Sequence, residues 1–220
     1  MNNKDIYISL GSQCHVIDMF RELGIKRESL PFDTIFSTPE FVYTIFKLLF
    51  IDNLNIIDIV NNEFFLCDKR AIEISSQRFI IHDNGNLLVN SKYSVLFPHN
   101  NISDNEKFIR RLERFKNLIL NKNNCIHFVY CAGRTNYTDK SCIYALNNIE
   151  PAKDIYIFIN NINNILKNII NNYKIIVIDV DLASNIIPED NQHLFYFNIT
   201  NKDNLPSLFP YCVDILRKFV

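Results

Sequence analysis

Glycine is scarce in this chain, with four residues in 220. That scarcity excludes a Rossmann dinucleotide site, because Gly11 is not followed by the later glycines of G-x-G-x-x-G that let a backbone approach a pyrophosphate. Neither sign of charge is in excess: 23 lysines and arginines stand against 24 aspartates and glutamates. No net field therefore points to nucleic acid or to an anionic membrane as a partner. No apolar run approaches the roughly 18 residues that span a bilayer, and the chain starts polar, so the expectation is a soluble, cytoplasmic protein. C-x-x-C pairs are missing as well. The six cysteines, at 14, 67, 125, 131, 142 and 212, are scattered, which points away from a metal site or a dense disulfide framework and towards a reducing compartment. No cofactor is expected.

What is present is a chain that is 48% hydrophobic, enough to bury a large core, and the expectation is one globular unit over residues 1–220. Apolar runs of strand length alternate with helical patterns, the signature of a parallel sheet covered by helices. "DIYISLG" reads as a strand, and "CHVIDMFRELG" as a helix with Val16, Met19, Phe20 and Leu23 on one face and Gly24 as its stop. "STPEFVYTIFKLLF" starts a helix with a Ser or Thr N-cap and Pro39 in the first turn. "SDNEKFIRRLERFKNLIL" is the clearest helix, with a capped acidic start and Phe108, Leu112, Phe115 and Leu118 or Ile119 along one side. "CIHFVYCAG", "KIIVIDVD" and "LFYFNI" supply further strands, "DIYIFINNINNILKNII" and "LPSLFPYCVDILRKF" further helices. An excursion over about 63–97 breaks the pattern. There "RFIIHDNGNLLVN" sets Asp83 to Asn86 between apolar runs and predicts an antiparallel hairpin near 77–91. The predicted fold is thus α/β: a single three-layer domain with a mainly parallel central sheet and an antiparallel hairpin excursion.

In such sheets functional groups gather beyond the carboxyl ends of the strands. Cys14, at the start of the first helix, would have its thiol activated by the helix dipole, and the amides of the Gly11-Ser12-Gln13 turn could hold an oxyanion. His99, at a proline-marked exit from a strand-like run, is the best-placed base, and Asp33 could orient its imidazole. His15 faces away from its neighbour Cys14 and is a minor rival base. His82 falls in the proposed hairpin, and His127 inside a buried strand reads as a core histidine. Arg110, Arg111 and Arg114 cannot all point one way while Phe108, Leu112 and Phe115 face the core.

The run "ISLGSQCHVIDMFRELGIKRESLPFDTIFS", then "FPHN", then "KFIRRLERFKNLI" resembles the putative papain-like cysteine peptidase family that carries the label DUF1796. The shared pattern is Gly-Ser-x-Cys, then Pro-Phe-Asp, then a His, then an Arg-Arg-x-x-Arg-Phe helix, over roughly the first 130 residues. The resemblance implies Cys14 as nucleophile, His99 as base and Asp33 as third member, with Arg111 and Arg114 in the arginine helix. It also implies that Arg111 or Arg114 turns inward onto a carboxylate, with Asp33 the first choice of partner. Thr34 stands where the family usually carries an aromatic, and Asn100 where an acidic residue is expected. A papain fold would have a helical lobe and a β-barrel lobe; the periodicity reads otherwise, and the fold expectation follows the periodicity.

The function expected is a cysteine-nucleophile hydrolase or acyltransferase acting on a peptide, amide or ester. Two alternatives use other residues. A non-catalytic α/β module could bind an anion or a sugar acid at the Gly11 turn with arginines assisting. A serine esterase of SGNH type would use Ser12 with Asp190 and His193, which have the Asp-x-x-His spacing of that group.

Overall fold

The computed structural model describes residues 4–11, 15–64, 68–71, 86–90, 92–93, 95–97, 104–133, 155–180, 192–199 and 207–220. In chain order the elements are β1 (Lys4–Ser9), α1 (His15–Glu22), α2 (Pro39–Phe50) and α3 (Ile56–Ile59), which runs into a π-helical turn (Val60–Phe64). β2 (Asp68–Ala71), β3 (Asn86–Asn90) and β4 (Val95–Phe97) follow, then α4 (Asn105–Leu120) and β5 (Asn124–Gly133). α5 (Ile155–Lys167), β6 (Tyr173–Val180), β7 (Leu194–Ile199) and α6 (Phe209–Arg217) complete the described chain.

Local chemistry accounts for the helix ends. Gly24 has φ +68°, and the amide of Ile25 reaches back to the carbonyl of Phe20 at 2.9 Å, the long bond of a glycine-terminated helix. Thr38 caps α2 by accepting from the Phe41 amide at 3.2 Å, with Pro39 in the first turn, where its missing N–H costs nothing. α4 differs from expectation at its start. Asp104 makes no cap bond and instead accepts from Lys107 Nζ at 3.2 Å.

The central sheet has the order β1-β5-β6-β7, and every pair in it is parallel. The inner strands β5 and β6 are buried on both faces, and their alternate residues separate into two cores. Ile126, Phe128, Tyr130, Ile175 and Val177 pack with α2, α4 and α5 on one side. Val129, Cys131, Ile176, Ile178 and Val180 pack with α1 and α6 on the other. This is the three-layer arrangement expected from periodicity 2 in the strands and 3.6 in the helices. The two-lobed papain architecture is not what these residues build. Among the described residues no helix is long and apolar enough to cross a membrane.

The predicted hairpin at 77–91 is not borne out. The central sheet is all parallel, and β3 has both of its edges taken in a separate three-stranded sheet, by β2 on one side and β4 on the other. Residues 72–85, including the Asp83–Asn86 turn and His82, lie outside the described residues.

A cluster of phenylalanines joins the layers on the first face. Phe115 of α4 lies 5.6 Å from Phe32, 5.3 Å from Phe46 and 6.4 Å from Phe50 between ring centroids. Phe64 bridges Phe41, Phe97 and Phe108 at 5.0, 6.0 and 4.9 Å. Truncating a wholly buried ring at such a junction leaves a cavity. Phe115→Ala is expected to cost about 3–5 kcal/mol, read as the drop in unfolding free energy in a urea titration.

Candidate active site

β1 ends at Ser9, and the chain then turns through Leu10 and Gly11 at the carboxyl end of the sheet. Gly11 has φ +85°, a region that residues with a Cβ rarely adopt. A Cβ there would collide with Ser37 Oγ and would lie 3.2 Å from Ser37 Cβ and 3.5 Å from Phe32 Cβ. The turn is held tightly. The Gly11 amide donates to Ser9 Oγ at 3.1 Å, Ser37 Oγ donates to the Leu10 carbonyl at 3.2 Å, and the Tyr130 hydroxyl of β5 reaches the Ser37 carbonyl at 3.5 Å. The glycine therefore lets the end of β1 seat against the Pro-Phe-Asp turn, which supplies Phe32.

Asp33 is the next residue of that turn and is 2% exposed. Its Oδ2 accepts from Lys26 Nζ and from the Leu30 amide, the latter at 2.7 Å. Oδ1 is buried with no hydrogen-bond partner among the described residues. Burial pushes the Asp33 carboxyl above the ordinary carboxylate value, and the Lys26 ammonium, the Leu30 amide and the charge of Arg111 only partly oppose it.

Arg111 does turn inward, at 8% exposure, but its partner is not the one expected. The paired hydrogen bond with Asp33 is not formed; Lys26 is the cation that pairs with that carboxylate. Arg111 Nη1 instead faces Thr34 Oγ1 at 3.5 Å, and its guanidinium lies 5.3 Å from the centre of the Phe108 ring. Thr34, where the family pattern has an aromatic, is thus the arginine's neighbour. Burial draws the Arg111 pKa down, and the charge of Asp33 pushes it back up. Arg114 is half-buried and holds a carbonyl rather than a carboxylate: its Nη1 donates to Ser29 O at 3.0 Å and its Nε to Arg110 O at 3.2 Å. Arg110 points outward, 3.9 Å from Glu106.

Three stretches far apart in the chain, the end of β1, the Pro-Phe-Asp turn and the arginine helix, therefore meet in one place. Their order in the sequence is that of a known family model. The model described as "Putative papain-like cysteine peptidase (DUF1796)" matches residues 5–153. The chain belongs to this family. No curated protein and no solved structure matches it.

Of the candidate site residues, Ser12, Gln13, Cys14 and His99 lie outside the described residues. Their nearest described neighbours are informative. Gly11 and His15 flank the Cys14 segment, and Phe97, two residues before His99, packs 6.0 Å from Phe108, the residue beneath Arg111. Asp179, the penultimate residue of β6, is a buried acid that sequence reasoning missed; Tyr196 of β7 donates to its Oδ2. Only the pairing of β6 with β7 shows that the two are neighbours.

The SGNH alternative loses its base. Asp190 lies outside the described residues, but His193 sits just before β7, with Nδ1 3.0 Å from the Tyr173 carbonyl and its ring stacked on Tyr173 at 4.3 Å. That is the amino end of a parallel sheet, whereas Gly11, the residue before Ser12, follows the carboxyl end of β1.

The amino end holds a second group of polar residues, of which the sequence reading took only His127 up, as a core histidine. Cys125 and His127 are two apart on β5, so they share a face, and Asp5 of β1 is the register partner of Cys125. His127 Nε2 lies 3.5 Å from Cys125 Sγ and 3.0 Å from Asp5 Oδ1. This is not a nucleophile-base-acid relay. Both contacts fall on the same ring nitrogen, while Nδ1 has no partner among the described residues. Burial raises the Cys125 thiol pKa and lowers that of His127, so neither group is activated. The Cys-x-His spacing was a usable signal for two of these residues; Asp5 could be found only from the strand register.

Two outcomes are expected. Gly11→Ala should lose about 1–2 kcal/mol from backbone strain alone, and more from the clash with Ser37, measured by urea unfolding. The second concerns pH. A folded-state pKa raised above the unfolded value near 3.8 means that the native state takes up the proton first, so this group's contribution to stability increases as pH falls through its folded pKa and levels off below 3.8. Wild type should therefore gain stability relative to Asp33→Asn as the pH is lowered over that interval, compared by urea titrations of both proteins; a difference that shrinks or stays flat contradicts the assignment.

Proposed function

We propose that this member of the DUF1796 family is a cysteine-nucleophile hydrolase or acyl transferase acting on an amide or ester of peptide type. The observation that carries the reading is the close seating of Gly11 against Phe32 and Ser37, which joins the segment before Cys14 to the Pro-Phe-Asp turn in a family described as cysteine peptidases. In the proposed reaction His99 takes the Cys14 thiol proton and the thiolate forms a bond to the substrate carbonyl carbon. The bond to the leaving amine or alcohol breaks as His99 returns the proton to it. Water, or an acceptor amine, then gives a proton to His99 as it attacks the thioester carbonyl carbon, the carbon–sulfur bond breaks, and the proton returns to the Cys14 sulfur. Amides at the start of α1 would hold the oxyanion. Asp33 has one oxygen committed to the turn through Lys26 and Leu30. The other is the acceptor left over for an imidazole N–H.

A second reading has one observation in its favour. Arg111 is a buried guanidinium with no carboxylate within 4.0 Å among the described residues, which suits a site that binds an anion without chemistry.

Alkylation of Cys14 by iodoacetamide, followed by peptide mapping across pH, separates the two. An activated thiol reacts at a pH well below the roughly 8.5 of a free cysteine, and His99→Ala should move that profile upward. A Cys14 profile that matches a free thiol in both proteins rejects the catalytic reading and leaves the anion-binding one.

A further inference from the structure

We propose that Asp5, Cys125 and His127 form a binding site for a divalent cation of the zinc class at the amino end of the central sheet. The three side chains offer one carboxylate oxygen, one sulfur and one imidazole nitrogen, and these ligand atoms all lie within 4.8 Å of one another. Zinc bonds of about 2.0–2.3 Å in a tetrahedron place ligand atoms about 3.3–3.6 Å apart. The observed Sγ to Nε2 distance of 3.5 Å already fits, and the Nε2 to Oδ1 distance of 3.0 Å needs to open by only a few tenths of an ångström.

The donors are set on rigid backbone. Cys125 and His127 come from one strand and Asp5 from the strand hydrogen-bonded to it, at the same register level. The His127 ring is clamped by stacking on Tyr7, with centroids 4.6 Å apart and planes 16° apart, and Tyr7 is itself tied by its hydroxyl to the Phe219 carbonyl at 2.5 Å. His127 is buried, with its Nε2 directed at the other two ligand atoms, while the Asp5 side chain is 58% exposed. A cation could therefore enter from solvent on the Asp5 side and keep a water as its fourth ligand.

The donor set also selects the ion. A sulfur and an imidazole nitrogen favour zinc or cobalt over calcium and magnesium, which prefer oxygen throughout. Asn172 Oδ1 lies 3.5 Å from Cys125 Sγ; turned over, the same amide would donate an N–H to a metal-bound thiolate. Two features weaken the site. Among the described residues His127 Nδ1 has no acceptor of the kind that usually fixes a metal-bound imidazole, a loss of roughly 10–100-fold in affinity. Lys174, the register partner of His127 on β6, adds a like charge nearby, with its ammonium 5.7 Å from the centre of the Phe219 ring.

Cobalt(II) titration of the reduced full chain tests the proposal. One equivalent should bring up the thiolate-to-cobalt charge-transfer band and the visible bands of a tetrahedral site. Cys125→Ser should abolish the charge-transfer band, and Asp5→Asn, which keeps the size of the side chain and removes its charge, should weaken binding at least 10-fold. Lys174→Met should tighten it. Cys14→Ser should leave every band unchanged, which keeps this result separate from the proposed catalytic thiol at the other end of the sheet. No charge-transfer band in the wild type, a band that survives Cys125→Ser, or one that disappears in Cys14→Ser overturns the site.

Discussion

The ring of Phe32 meets Phe41 and Phe115 edge-on and lies within 6.4 Å of Phe64, and through that cluster the Pro-Phe-Asp turn is held to α2, α4 and the π-helical turn at once. The same residue's Cβ backs the Gly11 turn. Position at the carboxyl end of β1 therefore depends on apolar packing some distance from any reactive group. The contacts are individually small, but a wholly buried aromatic ring contributes several kcal/mol and a defined shape. A loop of Pro, Phe, Asp and Thr has no helical or sheet bonds to fix it, so its ring acts as the anchor and its acid is placed as a consequence.

Charge is buried at that anchor, and the arrangement is uneven. Asp33 is paired with Lys26, Arg111 lies close enough to feel Asp33 but contacts Thr34, and one oxygen of Asp33 has no partner among the described residues. Burying charges that are incompletely satisfied is costly. Arg114, by contrast, spends its guanidinium on backbone carbonyls and fastens the arginine helix to the loop at Ser29.

The two ends of the parallel sheet offer different chemistry. At the carboxyl end a glycine at φ +85° leads towards a helix that begins one residue after Cys14, where backbone amides and the helix dipole favour negative charge. At the amino end a cysteine sits among strand residues with its thiol pKa raised by burial and by Asp5, an environment for an inert thiol or a metal ligand and not for a nucleophile. Cysteine and histidine close together are thus not sufficient to mark a catalytic pair. Which nitrogen faces the sulfur, and which end of the sheet they occupy, decides.

The sequence by itself determined what depends on neighbours a few residues away. The strand and helix periods, the stop at Gly24, the Thr38 cap with Pro39, the apolar face of α4 and the turn at Gly11 were all legible, because each is set by backbone sterics and by residues within one or two turns. The order of motifs from Gly11 to the arginine helix was legible too, and with it the family. Tertiary structure alone decided who pairs with whom. Asn86–Asn90 paired with both β2 and β4, Lys26 and not Arg111 became the ion partner of Asp33, and Asp5 came to Cys125 and His127 through a parallel register spanning about 120 residues. Such pairings are fixed by the competition of all strands and side chains for the same edges and the same buried volume, a quantity that no local window of the chain contains.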